Sequence, residues 1–270
     1  MRIVLPLSIL VLLFACSLKS AMNISFRPGD LWLDDNGVHI NAHGGGILWH
    51  DGAYYWFGEH KIAGRKGNAA WVGVHVYSSI DLYNWRDEGI ALSVVKDDTT
   101  DIREGCVLER PKVIYNAKTG QFVMWFHLEF KGTNYRTARS GVAVAASVTG
   151  PYRYVRSFRP NAGHWPKNIE ERQKQVPEQF REHDYSGGEL PDAPDKLNLC
   201  ARDFADGQMA RDQTLFVDDD GSAYHLYASE ENSTLHISRL TDDYLSYSGD
   251  YIRVFTGRFM EAPAICKRDG

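Results

Sequence analysis

Cysteine is scarce in this chain: four residues in 270. Cys16 ends the apolar opening stretch, MRIVLPLSILVLLFAC. The other three, Cys106, Cys200 and Cys266, are odd in number and have no CxxC spacing. Neither a disulfide framework nor a zinc site of the usual kind is suggested; one disulfide is left open, and small buried side chains are the expectation for them. Long apolar runs are lacking too: after the opening stretch no second span of ~20 apolar residues follows, so no membrane-crossing helix is expected in the mature chain. Positive charge is not in excess. The net charge is −5 and no basic stripe runs along the chain, so there is no case for a nucleic-acid partner. Helix-period patterning is sparse. A phosphate cradle is excluded as well. Gly44, Gly45 and Gly46 follow His43 in NAHGGGILWHDGAYYWFGE, but that mechanism needs a helix after the glycines, and a hairpin pattern follows instead.

Arg2 and the apolar run through Phe14 make residues 1–16 a secretory signal, too short to span a membrane. LFAC, ending at Cys16, resembles a bacterial lipoprotein box, in which Cys16 would carry lipid. Ordinary cleavage nearby is the alternative. Both readings export the protein to the periplasm, cell surface or medium.

Short apolar and aromatic runs closed by Gly, Asp or Asn dominate what is present, and they read as strands. GGILWHDGAYYWFGE, PKVIYNAKTGQFVMWFHLE, TLFVDDDGSAYHLYAS and APAICKRDG repeat one plan. A lead residue precedes a strand and a turn with Gly near its end. In the first three, an aromatic second strand follows. The lead residues are His43, Glu109, Asp212 and Glu261. Segments such as VGVHVYSSIDLYNW, SGVAVAASVTGPYRYV and TLHISRLTDDYLSY supply the outer strands. Four-stranded repeats of ~40–50 residues indicate an all-β propeller. A polar, proline-bearing insertion at about 158–205 interrupts the repeats, as either a solvated excursion or a wall of the cleft, with a short helix expected at 168–182. The last segment stops on a hairpin turn, so residues 17–270 are expected to be a truncated propeller of about three and a half blades. In a propeller the lead residues share one axial cavity. Converging carboxylates repel, so at least one is expected to be held protonated near neutral pH, as a general acid requires.

RDQTLFVDDDGSAYHLYAS and MEAPAICKRDG resemble glycoside hydrolase family 43, a five-bladed propeller family. SSIDLYNW and SVTGPYRY look like its outer-blade segments. AHGGG with ERPKVIYN narrows the resemblance to the subgroup that includes exo-β-1,3-galactanases. It spans about residues 40–270 apart from the insertion. It implies hydrolysis of galactose- or arabinose-containing polysaccharide or oligosaccharide by an inverting acid/base mechanism. Glu261 matches the general acid, Asp212 its orienting partner and Glu109 a substrate-contacting carboxylate. The family's usual base is an Asp in the first blade, where this chain has His43. The subgroup also lacks that base, and its members are thought to use a residue of a later blade, which this chain is expected to lack. No organic cofactor is required; a structural Ca²⁺ in the channel is left open. No protein partner is inferred. The alternative class is a non-catalytic carbohydrate-binding propeller.

Other residues carry two readings. His43 is a sugar ligand, a holder of a central ion or water, or a core histidine. Glu59 reaches the cleft only through a loop, and Glu230 and Glu231 touch a sugar or serve structure. Arg211 is a candidate ion-pair partner for Asp212, and Arg110 for Glu109. Asp218, Asp219 and Asp220 read as a turn. Trp49, Trp56, Trp71 and Trp125 either stack on sugar or pack. Trp165, on the insertion, is the favoured stacking residue.

Overall fold

The computed structural model describes residues 22–64, 67–175 and 199–269. The leader with Cys16 lies outside them, as do residues 176–198 of the polar excursion. Among the described residues the fold is all-β, with three antiparallel four-stranded sheets, each built from strands consecutive in sequence. The first holds β1 (His43–His50), β2 (Ala53–His60), β3 (Gly73–Ser79) and β4 (Arg86–Ser93). The second holds β5 (Val107–Asn116), β6 (Gln121–Glu129), β7 (Arg139–Ala145) and β8 (Arg153–Phe158). The third holds β9 (Gln213–Val217), β10 (Ala223–Ser229), β11 (Thr234–Leu240) and β12 (Tyr247–Val254). β5 contacts both β1 and β9, so the first strand of each sheet is the inner one and the sheets are blades. In the hairpin of the first blade, Asp51 and Gly52 both have positive φ (46° and 83°), as a two-residue turn matched to strand twist requires.

The continuous apolar run of β6 has a plain cause. Side chains alternate across a strand, and here both faces are covered. Phe122, Met124, Phe126 and Leu128 pack with Phe57, Val74, Val76 and Leu92 of the first blade. Val123 and Trp125 face the other way, onto Ala223, Leu240 and Tyr244 of the third. A third cluster, Tyr77 and Trp85 with Trp32 and Trp56, seals the far face of the first blade beneath the N-terminal segment. Cys106 and Cys200 are buried and Cys266 exposed; all three are free thiols.

Two expectations change. The helix at 168–182 is, in its described part, one 3₁₀ turn at Glu171–Lys174, after which Gln175 is already extended (ψ 134°). Pro177 follows two residues later, and proline disfavours helix in the residue before it. The fourth repeat, residues 259–269, joins no ladder among the described residues. It lies along the third blade instead, held by Ala262 N–H on Asp212 Oδ2 (3.0 Å) and by Lys267 Nζ on Asp218 Oδ1 (2.7 Å).

Trp125 is fully buried between two blades and donates its indole N–H to the Tyr244 carbonyl at 2.9 Å. Trp125→Ala should cost about 3–5 kcal/mol, read from the midpoint and slope of urea unfolding. An exposed tryptophan such as Trp49, 55% accessible, should tolerate the same change within about 1 kcal/mol.

Candidate functional site

One backbone device recurs at the lead residues. His43 pairs with Glu59, but the next partners are Gly46 and Phe57, so Gly44 and Gly45 together face Gly58. Glu109 pairs with His127, but the next partners are Lys112 and Trp125, so Arg110 and Pro111 together face Phe126. Both are β-bulges, which bend a strand and re-aim its side chains. The residue after the lead is left-handed in each: Gly44 at φ 57° and Arg110 at φ 53°, as is Ala262 after Glu261 at φ 46°. Glycine adopts that conformation freely, whereas arginine and alanine pay roughly 1–2 kcal/mol. HGG and ERP are therefore two spellings of one bulge, and EAP shares its left-handed second residue without joining a ladder among the described residues. The third blade departs from it, since Asp212 runs directly into β9.

The triple glycine is explained by what surrounds it. A Cβ at Gly44 would come 2.6 Å from Glu59 Oε1. One at Gly45 would overlap the Phe57 carbonyl, and one at Gly46 the stem of Lys112. That stem carries the Lys112 ammonium to the carbonyl oxygens of Gly44 (3.1 Å) and Gly45 (3.0 Å), with those of Arg110 and Pro111 at 3.5 Å. Burial, with the nearby Arg110 charge, pushes the Lys112 ammonium down to about 8, against the pull of Glu59 and Asp212.

Arg110 joins the blades. Its backbone N–H donates to Glu59 Oε1 of β2 at 3.0 Å. Its guanidinium forks onto Asp212, Nε to Oδ1 at 2.9 Å and Nη2 to Oδ2 at 2.8 Å. Its carbonyl accepts from Gln213 Nε2 at 3.2 Å. Asp212 also accepts the N–H of Ala262, the residue next to Glu261. Glu261 is exposed, and its Oε1 accepts from Asn232 Nδ2 at 3.1 Å. Glu109 accepts from Tyr135 Oη at 2.8 Å, and its other oxygen lies 3.2 Å from His127 Nδ1. The structure thus gives Asp212 to Arg110 and leaves Arg211 to Glu231 (2.8 Å). Glu109 pairs with His127 rather than with Arg110.

Cations interposed among the carboxylates alter the expected electrostatics. Burial works against the ionised form of Glu109, yet the hydrogen bond and charge of His127, with Tyr135 and Lys61, hold its carboxyl below the usual range. Glu109 is therefore not the protonated member expected from repulsion. Glu59 is central rather than remote. It is buried at the end of β2, opposite His43, with Lys61 Nζ at 2.5 Å and His43 Nδ1 at 3.3 Å. The His43 side chain itself is 62% exposed.

Two candidates lie elsewhere. Glu230 follows β10 at the same end as Asp212, but it turns into the blade. Arg253 donates to both its oxygens (2.7 and 2.8 Å) and His236 lies 2.8 Å from one of them. Burial opposes its charge, but Arg253 and His236 bring its carboxyl down to about 2, so no face is left for a sugar. Trp165 stacks on Phe204 with ring centroids 4.1 Å apart. Its neighbours His164 and Lys167 bond Tyr251 of the outer strand β12, so it belongs to the blade's rim. Trp49 packs on Tyr54 at the surface. Lys112, His127 and Glu129 had no place in the sequence reading, and Arg110 entered it only as a candidate partner for Glu109.

A cavity of about 380 Å³ opens between Gly44–Ile47, Arg110, Lys112, Gln213–Leu215 and Ala262–Ile265. Calcium takes six to eight oxygen ligands. The carbonyl oxygens that converge here accept from Lys112, and among the described residues no cluster of His, Cys, Asp and Glu could hold a metal. The donor set around Lys112 does not fit a divalent cation.

No family model matches the chain, and no curated protein does. Solved structures do match. A GH43 β-1,3-galactosidase solved with galactodeoxynojirimycin is 52% identical, with a TM-score of 0.82 over 90% of this chain and 70% of its own. A second GH43 β-1,3-galactosidase is 36% identical, TM-score 0.68, over 91% of this chain and 42% of its own. An exo-β-1,3-galactanase from Phanerochaete chrysosporium solved with galactose is 34% identical, TM-score 0.66, over 90% and 45%. The chain thus spans less than half the length of the latter two.

Lys112 predicts a pH signature. Its folded-state value of about 8 lies below the ordinary 10.5, so between those limits the unfolded chain binds more protons and this group's contribution to stability rises with pH. The difference in unfolding free energy between wild type and Lys112→Met should change with pH across that window and be flat below it.

Proposed function

The chain belongs to glycoside hydrolase family 43, and on that premise we propose that it acts on terminal galactose in β-1,3-linked, galactose-containing glycans by an inverting mechanism. The observation that carries this reading is the convergence on Asp212. It is held by the Arg110 fork of the second blade and itself holds the backbone beside Glu261. Three lead residues from distant parts of the chain are thereby tied to one end of the propeller. Glu261 is the proton donor to the leaving oxygen. Asp212 orients it through the Ala262 amide. Glu109 and His43 grip the terminal sugar, with Glu59 and Lys61 fixing the charge beneath His43. Identities of 34–52% to galactosidases and a galactanase favour galactose; the arabinofuranosidase among the similar structures, at 19% identity, supports the fold alone. The apolar leader supports export, and LFAC supports Cys16 as the lipid-attachment site.

Galactose release from β-1,3-galactan and β-1,3-galactobiose tests this. Release needs a base for the attacking water as well as the acid, so galactose release by the wild type that Glu261→Gln cuts roughly 10²–10⁴-fold, with galactobiose binding kept within a few-fold, would support the acid/base reading. Binding by the wild type without release would support a carbohydrate-binding module instead, and no binding would reject the sugar assignment.

A further inference from the structure

Beneath Glu109 lies a second layer of charge. Glu109 stands opposite His127 in the β5–β6 ladder, and Glu129 follows His127 by two residues on the same face of β6. His127 is 2% accessible and Glu129 0%. The imidazole lies between the two carboxylates, Nδ1 at 3.2 Å from Glu109 Oε2 and Nε2 at 2.9 Å from Glu129 Oε1. A neutral imidazole has one N–H and one lone pair, so it would turn a lone pair on one of the carboxylates. Only the doubly protonated ring satisfies both. Glu129 is anchored independently, accepting from Thr137 N (2.7 Å), Thr137 Oγ1 (2.6 Å) and Ala138 N (3.0 Å). It cannot swing away and leave the ring free.

We propose that His127 is a positioning residue, a buried imidazolium that fixes Glu109 as an oriented, acceptor-only carboxylate for a sugar hydroxyl, with Glu129 as the counter-charge that keeps the ring protonated. This rests on Glu109 being a sugar-gripping residue. The groups facing the ring are Glu109 from β5, Glu129 from β6 and Tyr135 from the loop between β6 and β7, its ring centroid 5.9 Å away. Lys61 acts on Glu109 from beyond β2. Burial disfavours the charged ring, but the hydrogen bonds and charges of Glu109 and Glu129 outweigh it and raise His127 above the ordinary histidine value. Tyr135 completes the holder. Its hydroxyl donates to Glu109 while accepting from Asn68 Nδ2 (2.6 Å), and its carbonyl accepts from Arg211 Nη2 (2.9 Å). Two of the lone-pair directions of Glu109 are thus used by protein, and the rest remain for ligand.

The sign of the effect follows. His127⁺ stabilises ionised Glu109; without it, Glu109 protonates at higher pH and stops accepting from the ligand sooner on acidification. The test is titration calorimetry with β-1,3-galactobiose from about pH 5 to about pH 8, on the chain otherwise wild type, with His127→Asn and with Glu129→Gln, each carrying Glu261→Gln so that the ligand is not cleaved, and with ¹⁵N spectra of the imidazole nitrogens in the wild type. His127→Asn should weaken binding roughly 10–100-fold, as loss of a charged hydrogen bond does, and move the acid limb of the affinity to higher pH. Glu129→Gln, which leaves the ring in place without its counter-charge, should move the limb the same way. The wild-type spectrum should show both nitrogens of His127 protonated at neutral pH. A neutral ring, or variants that bind with an unshifted acid limb, would overturn the proposal. If the chain carrying Glu261→Gln alone binds no galactobiose, the functional reading fails, and the nitrogen spectrum still decides the charge of His127.

Discussion

Arg110 is the residue on which the site depends. It sits in a left-handed bulge that costs a non-glycine residue energy. That geometry sends its N–H to the first blade and its guanidinium and carbonyl to the third, while Glu109 turns to His127 and Tyr135 of its own blade. Lys112, two residues on, ties the same strand to the first blade by reaching the glycine carbonyls of β1. A propeller blade has its own ladder and sheds its apolar faces onto its neighbours. What it cannot specify by packing alone is the register of the inner strand tips. Here polar groups on both sides of the Arg110 backbone do that.

Charge balance follows from the same joint. β2, β5 and the entry to β9 bring Glu59, Glu109 and Asp212 toward one end, which invites repulsion or protonation. The chain answers with a cation for each: Lys61 beside Glu59, His127 behind Glu109, the Arg110 fork on Asp212. Each pair is at least half buried, so removal of one partner would leave the other charge in a low-dielectric site, the costly case. Glu261 stands apart: it is exposed and, among the described residues, its side chain accepts from Asn232, as suits a group that must meet substrate.

Much of this was legible in the sequence, and the remainder was not for physical reasons. Strand runs, turns and lead residues are local patterns, and they located His43, Glu109, Asp212 and Glu261. The bulges that follow His43 and Glu109 show only in the strand register and backbone angles. The partner of a charged side chain is set by cross-blade geometry. Proximity along the chain therefore suggested Arg211 for Asp212 and Arg110 for Glu109, while the folded chain gives Arg110 to Asp212, Arg211 to Glu231 and His127 to Glu109. Glu230 looked available because Arg253, which neutralises it, is distant in sequence. His127 and Glu129 did carry a signal. Their spacing of two in FHLE puts both on one face of a strand whose other polar positions are few, opposite a glutamate already singled out. Trp165 had only its residue type and its place on an excursion, and Phe204 claims it.

The central claim is that the Arg110–Asp212 fork couples the second blade to the third and so holds Glu261 in place. A double-mutant cycle measures that coupling directly, with Arg110→Ala, Asp212→Asn and the pair compared by urea unfolding. Strong coupling, about 1.5–3 kcal/mol, is predicted for a partly buried bidentate charged pair. Additive effects, agreeing within about 0.5 kcal/mol, would show that the blades are held by their apolar faces alone and would contradict the claim.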